Sequence, residues 1–303
     1  MEVIKEDRIL KFNPGTLQTV RKEYNLDHIE RLNEALDILE NWIKKQDHFV
    51  KKDYSRGYLE RTLISTKGSV ERAKLRLDKL CTFRTLMPNF FCNSDIKEQY
   101  ECLATALVHG HLTRQTHDNF RVYVMKMISE DPINPANMLK YYKYIIAASE
   151  YVKKNDYSKG YVLIMDYTGI NLVTLVTKVS PIDLHQTMML LTEGYGMRIK
   201  GIHIITPSRM VDALITLLKQ VLSAKVAERI HIHKTIDTVY KHVEKEILPQ
   251  DYEAWFEVLS STEYTKYLNE MNEACTNESC RQREKFHEQY LGIPGSFRSL
   301  SVD

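Results

Sequence analysis

Residues 160–233 constrain the fold more than any other part of this chain. Tyr161-Val162-Leu163-Ile164-Met165 is an apolar run ending on Asp166, and a second strand-like run from Ile199 to Ile205 ends on Thr206-Pro207. A third, shorter run covers 229–233. Between these runs the apolar spacing changes to steps of three and four. That spacing predicts a short helical stretch after Asp166, a helix near 181–193 and another over 208–222. Strands separated by helices imply a largely parallel sheet covered by helices, since parallel neighbours need a crossover and bury both faces.

The same alternation begins earlier. Arg121 to Met127 reads as a strand with Val122 and Val124 among its apolar positions. After the break at Asp131-Pro132, a helix from about Ala136 to Lys153 places Met138, Tyr141, Ile145, Ala148 and Val152 on one face. The first third is helical. Leu26, Ile29, Leu32, Leu36, Leu39 and Ile43 form one stripe, and Asp27 with Glu30 has the spacing of a capping box. Ser69 is placed to cap a second helix burying Ala73, Leu77, Leu80 and Cys81, which should stop near Met87 because Pro88 follows. A third helix is predicted from Ser94 through Leu107. The stretch holding His109, His111, His117 and Asp118 shows no periodicity and reads as a loop.

Composition excludes several classes. A net charge of +2 on 303 residues gives no general attraction for nucleic acid. Five cysteines without a CxxC pair fit reduced thiols and a cytoplasmic chain. The charged start, Met1 to Arg8, lacks the apolar core of a signal peptide, and no apolar run approaches the roughly 20 residues of a membrane span. There is no GxxxxGK[ST], GxSxG or strand-linked GxGxxG, so no nucleotide cofactor or acyl-transfer nucleophile is expected. Asp166 could serve an α/β enzyme, but the plainer expectation is that it bonds the turn before Gly169. His109, His111 and His117 with Asp118 form one histidine group and His231 with His233, sharing a strand face, another, but neither has a zinc spacing such as HExxH, so structural histidines and no metal are expected.

The helix over 208–222 is unusual. Val211, Leu214, Ile215, Leu218, Val221 and Leu222 form its inward stripe, while Met210, Ala213 and Leu217 add apolar surface outside it. A helix apolar nearly all round either lies in a core or meets lipid. Six cations surround it (Arg198, Lys200, Arg209, Lys219, Lys225, Arg229), opposed between 198 and 229 only by Asp212 and Glu228. Such a cluster is either a solvated face or a surface for anionic headgroups.

With these residues in view, the chain resembles the CRAL-TRIO lipid-transfer family, in its retinaldehyde- and tocopherol-carrying branch. Arg198 to Thr206 resembles the family's strand leading into a mobile gate helix, and Leu222 to His231 resembles its FLxxKxxxRIxxH element. Gly160 to Asp166 with Gly169 matches a GxxxxxDxxG strand, and Ser69 to Leu77, with Arg84 and Pro88, resembles the N-terminal helical domain. The resemblance covers about 25–260. It departs where an arginine-rich stretch is reduced to Arg61, where Asn is replaced by Thr206 and Pro by Gln220, and where two glycines of a closing motif are Glu253 and Ala254.

The resemblance implies an α/β fold: an N-terminal helical bundle over 1–93, a CRAL-TRIO domain over 94–257 whose mostly parallel sheet floors an apolar pocket closed by a gate helix, and a polar helical tail over 258–303. It implies a non-enzymatic, cofactor-free, cytoplasmic monomer that binds a hydrophobic ligand (retinoid, tocopherol-like prenol or phospholipid) and opens transiently at phosphoinositide-containing membranes. Strand alternation with the family comparison assigns the pocket to Tyr141, Tyr144, Ala147, Tyr161, Leu163, Met165, Leu190, Leu191, Tyr195, Ile202, Ile204, Val211, Leu214, Ile215 and Leu218. The phosphoinositide contacts fall on Arg198, Lys200, Lys225 and Arg229. The alternatives are a protein-interaction module on the same fold and a hydrolase or isomerase acting on a bound lipid.

Overall fold

The computed structural model describes Ile4, Asp7 and residues 9–91, 106–131 and 133–247. The expected helix from Ser94 lies outside them up to 105, as do the closing motif from Leu248 to Ala254 and the 258–303 tail.

Among the described residues, five helices precede the sheet: α1 Thr16–Glu23, α2 Ile29–Lys44, α3 Arg56–Ser65, α4 Val70–Leu86 and the single turn α5 Pro88–Phe91. α2 buries Leu32, Leu36, Leu39 and Ile43 as its stripe predicts, but Ile29 is exposed. The expected capping box is not formed, because His28 rather than Asp27 takes the N-cap, without a side-chain bond. α4 follows its sequence signals: Ser69 Oγ accepts from the Arg72 amide, and the helix stops before Met87-Pro88. α3 escapes a periodicity search because the polar Glu60 and Thr62 are buried along with Tyr58, Leu59, Leu63 and Ile64, which blurs its apolar stripe.

The sheet has five strands in the order β1-β2-β3-β4-β5: β1 Leu107–Gln115, β2 Phe120–Met127, β3 Gly160–Asp166, β4 Ile199–Ile205 and β5 Ile230–His233. β1 and β2 form an antiparallel hairpin, and every later pairing is parallel. β1 corrects two sequence expectations. Leu107 opens a strand instead of ending a helix, and the histidine stretch is paired rather than looped. The strand hides because His109, His111 and Gln115 are buried where alternation would look for apolar residues. β3 and β4 match their predicted spans, and Gly160 serves their close approach: a Cβ there would lie 2.7 Å from the Arg198 carbonyl oxygen. Asp166 takes the turn role, accepting from the Thr168 amide at 2.9 Å.

Between the strands run α6 Pro135–Asn155, α7 Leu172–Lys178, α8 Pro181–Met189, α9 Val211–Val221 and the single turn α10 Ala224–Ala227. α8 passes into a π-helical turn at Leu190–Gly194. The two faces of the sheet are distinct. Tyr123, Met125, Met127, Ile202 and Ile204 face a core shared with α6, α7 and α9. Val122, Val124, Val162, Ile164 and Ile205 face the other way, against Leu112, Val239 and Val243.

Buried charge pairs fix α6 in place. Glu150 accepts from Arg84 Nη2 of α4 at 2.8 Å, with both side chains only 2% exposed. Burial opposes the Arg84 charge, but Glu150 beside it leaves the guanidinium well above its ordinary pKa. At the end of α6, Asp156 takes a two-pronged contact from Arg121 of β2 (Nη2 to Oδ1 2.7 Å, Nε to Oδ2 3.1 Å) with no exposure on either side chain. Arg121 also donates to the Leu112 carbonyl at 3.0 Å, tying in β1. Removing one partner of such a pair leaves a charge buried without its counter-ion, which typically costs about 3–5 kcal/mol. Glu150→Ala should therefore lose about that much stability in urea unfolding, far above the effect of Glu71→Ala at the exposed pair with Lys74. A loss below about 1 kcal/mol would show that the pair does not hold α4 to α6.

Candidate functional site

An apolar cavity of about 130 Å³ lies on the helix-covered face of the sheet. Its floor is Tyr123, Met125 and Met127 of β2 with Tyr161, Leu163 and Met165 of β3. The parallel register that sets Tyr123 beside Leu163 and Met125 beside Met165 makes this floor continuous. α6 supplies one wall through Met138, Tyr141, Tyr142, Ile145 and Ser149, the three- and four-residue steps of one helix face. α7 and α8 add Leu175, Val176, Leu184, Thr187 and Met188, and Leu214, Leu217 and Leu218 of α9 close it. Six methionines line it (Met125, Met127, Met138, Met165, Met188, Met197), and unbranched thioethers let a wall reshape around its contents.

One part of the lining is polar but uncharged. The Tyr123 hydroxyl lies 2.9 Å from both the Tyr141 hydroxyl and His109 Nδ1, and His111 stands edge-on to the Tyr123 ring at 5.0 Å. Burial pushes the pKa of His109 and His111 down to about 3, so both are neutral imidazoles at physiological pH. Burial raises the Tyr161 and Tyr167 phenols, keeping them protonated. The wall can therefore exchange hydrogen bonds with a hydroxyl or carbonyl, and presents no ion to a charged group.

Of the residues assigned from sequence, Tyr141, Tyr161, Leu163, Met165, Leu191, Leu214 and Leu218 line this cavity. Leu190, Tyr195, Ile202 and Ile204 belong to the surrounding core without reaching the lining, and Val211 packs at its margin. Ile215 is half-buried on α9, outside the lining. Tyr144 and Ala147 sit on another side of α6, packed with Ile9, Leu10 and Tyr151. Sequence reading missed the β2 floor and His111. The signal for the floor was present in the alternation of Tyr123, Met125 and Met127 against Val122 and Val124. His111 offered none, since it is a polar residue on an unrecognised strand.

A second recess of about 840 Å³ is lined by Arg198, Lys200, Lys225 and Arg229, together with Lys67 and His185. Glu23 and Glu193 are its acidic members. Glu23 pairs with Lys159 at 2.7 Å and Glu193 with Lys79 at 2.5 Å, so each carboxylate is matched by a cation outside the four. Arg198 lies over the Tyr24 ring at 4.6 Å, and Arg229 donates to the Ile199 carbonyl, so both stems are held. Partial desolvation, then repulsion from Arg198, lowers the Lys200 pKa, as expected where cations crowd. Arg61 is elsewhere: it donates to the Lys153 carbonyl at 3.0 Å and covers the Tyr157 ring. Met188 and Met197 line both the recess and the cavity, and α9 borders both, with Leu214, Leu217 and Leu218 on the cavity and Gln220 and Val221 on the recess.

Residues 110–253 match the CRAL/TRIO domain model, and residues 28–100 match the Pinta-like UBA domain model. The alpha-tocopherol transfer protein-like protein of Mus musculus is 22% identical over 251 residues, covering 81% of this chain and 72% of that protein. Its Homo sapiens counterpart is 22% identical over 222 residues, 72% of this chain and 64% of the relative. The crystal structure of Sfh5 aligns with a TM-score of 0.49 at 10% identity, over 80% of this chain and 96% of that one. The matched CRAL/TRIO segment takes in all of β2 to β5 and the helices that enclose the cavity, so this part of the chain is similar to a CRAL/TRIO domain.

Proposed function

We propose that this protein binds a small hydrophobic ligand and transfers it between membranes, as a carrier and not as an enzyme. The observation that carries the reading is the cavity: an apolar, methionine-rich lining with a few neutral polar groups. Burying an isoprenoid or acyl chain there is favourable by about 25 cal/mol per Å² of apolar surface. A neutral imidazole and several phenols suit a ligand with one hydroxyl or carbonyl, such as a retinoid or a tocopherol-like prenol. The names of the alpha-tocopherol transfer protein-like relatives are consistent with that class.

A ligand pocket for such a molecule usually measures about 300–1,000 Å³. The cavity, at about 130 Å³, is smaller, so entry requires the wall to move. α9 is the element suited to move. It packs on α7 and α8, is only 11 residues long, and has no side-chain N-cap. These three neighbouring helices each begin beside an exposed apolar residue: Val173 on α7, Ile182 on α8, and Met210 before α9. Exposed apolar tips, with a basic recess bordered by the other ends of α8 and α9, fit a gate that opens on an anionic membrane, where each cation near the surface contributes about 1 kcal/mol. Arg198, Lys200, Lys225 and Arg229 would then meet a phosphoinositide headgroup, without help from Arg61, which is engaged elsewhere.

Two outcomes follow. Leu163→Trp should fill the half-buried floor and lower affinity for a fluorescent retinoid or tocopherol analogue at least tenfold, for a folding cost of about 1–3 kcal/mol. Unchanged affinity would place the ligand elsewhere. Lys200→Ala with Lys225→Ala, both exposed, should weaken binding to phosphoinositide-containing vesicles roughly tenfold or more and flatten its salt dependence. Equal binding at every salt concentration would remove the recess from the membrane contact.

A further inference from the structure

The sheet face turned away from the cavity carries a second cluster that the proposed function does not use. His203 projects from β4 on that face, on the same side as Ile205. β5 pairs with β4 so that His231 stands beside His203 and His233 beside Ile205. The chain then turns through a 3-10 segment, Ile236–Lys241, which sets Val239 and Val243 against the same face and brings in His242. His203 Nδ1 and His233 Nε2 are 2.9 Å apart. The His242 ring centroid is 4.8 Å from that of His203, and one ring nitrogen from each of the three residues lies within 4.8 Å of the other two.

We propose that His203, His233 and His242 form a transition-metal site, with zinc as its fitting occupant. Three imidazole nitrogens bound at about 2.0–2.1 Å in tetrahedral geometry lie roughly 3.3 Å apart. The His203–His233 contact is already near that spacing, and a rotation of exposed His242 supplies the third nitrogen. An all-imidazole set selects zinc, copper or nickel over calcium or magnesium, which take oxygen ligands.

Two further features belong to a metal site more than to packed histidines. The Thr238 hydroxyl donates to the Thr235 carbonyl at 3.0 Å, so its oxygen accepts from His233 Nδ1–H at 2.8 Å. That bond fixes the tautomer and turns the Nε2 lone pair toward His203, the outer-shell arrangement that orients a metal-ligating histidine. The second feature is Gly201, where a Cβ would lie 2.9 Å from His203 Nε2, so glycine leaves the ring room to stand in the cluster. His231 stacks on His203 at 5.1 Å and on His242 at 5.3 Å, and is exposed. The fourth coordination position therefore opens toward solvent, to be filled by water or by His231.

The three ligands come from β4, β5 and the segment after β5. β5 is a four-residue edge strand with β4 as its partner, and it follows α9 and α10 directly. A bound ion would clip this edge to the sheet and fix the point from which α9 moves.

The test is a zinc titration of the chelator-treated full chain by calorimetry, with Co²⁺ absorption to report geometry. One ion per chain, tetrahedral Co²⁺ bands and a thermal midpoint raised by zinc are expected. His242→Ala, at an exposed position, should keep the far-UV spectrum and lose about a hundredfold or more in zinc affinity. His233→Asn should do the same, while His28→Ala, in the N-terminal helices, should bind as wild type. Absence of saturable binding at micromolar zinc would overturn the proposal. So would binding that His242→Ala and His233→Asn leave unchanged, which would place the ion on other histidines.

Discussion

The position of α6 governs the rest of the molecule, and buried charge fixes it. One side of the helix builds a wall of the apolar cavity through Met138, Tyr141, Ile145 and Ser149. Another meets the N-terminal helices through Glu150 and Arg84, and its end is locked to β2 through Asp156 and Arg121. Hydrophobic contact alone would let a helix slide on an apolar floor, whereas an ion pair with no access to water has one acceptable geometry. Lys153, which donates to Thr62 of α3 at 3.0 Å, adds a further fixed point. The wall made by α6 is therefore pinned by ion pairs, whereas on the other side of the cavity α9 packs on short helices without a comparable pair among the described residues.

The sheet separates two chemistries. Its register sends Tyr123, Met125, Leu163 and Met165 to one face, where a lipid-like molecule would find apolar and neutral polar contacts. The opposite face carries Val122, Val162, Ile164 and the histidine cluster at its β5 edge. The two faces meet mechanically at α9. It covers the cavity, borders the basic recess through Gln220 and Val221, and leads through α10 into β5. Ligand entry, headgroup contact and any event at the β5 edge would thus act on the same short helix.

Much of this was legible in the sequence. An apolar run gave β3 its span and a strand-like run rich in isoleucine gave β4 its own, Ser69 and Pro88 bounded α4, and the greasy helix with its flanking cations pointed to residues that line the cavity and the recess. What escaped was structure held by polar residues. β1 buries two histidines and a glutamine, and α3 buries the polar Glu60 and Thr62 beside its apolar residues, so neither shows a clear period. The α6 stripe holds Met138, Tyr141 and Ile145, which do line the cavity, whereas Tyr144 and Ala147, assigned with the help of the family resemblance, turn toward Ile9 and Leu10. The histidine site joins β4, β5 and a later turn, and a pairing across strands cannot be read from local spacing.

The central claim is that the cavity carries a hydrophobic molecule, and native mass spectrometry of the purified full chain tests it most directly. The protein would be measured as isolated and after incubation with retinoid, tocopherol and phospholipid panels, with solvent extraction to identify what is bound. The account predicts one stoichiometric hydrophobic adduct, lost or weakened in the variant whose cavity floor is filled. A chain that keeps its bare mass through every panel would contradict it, and would make this fold a protein-interaction module.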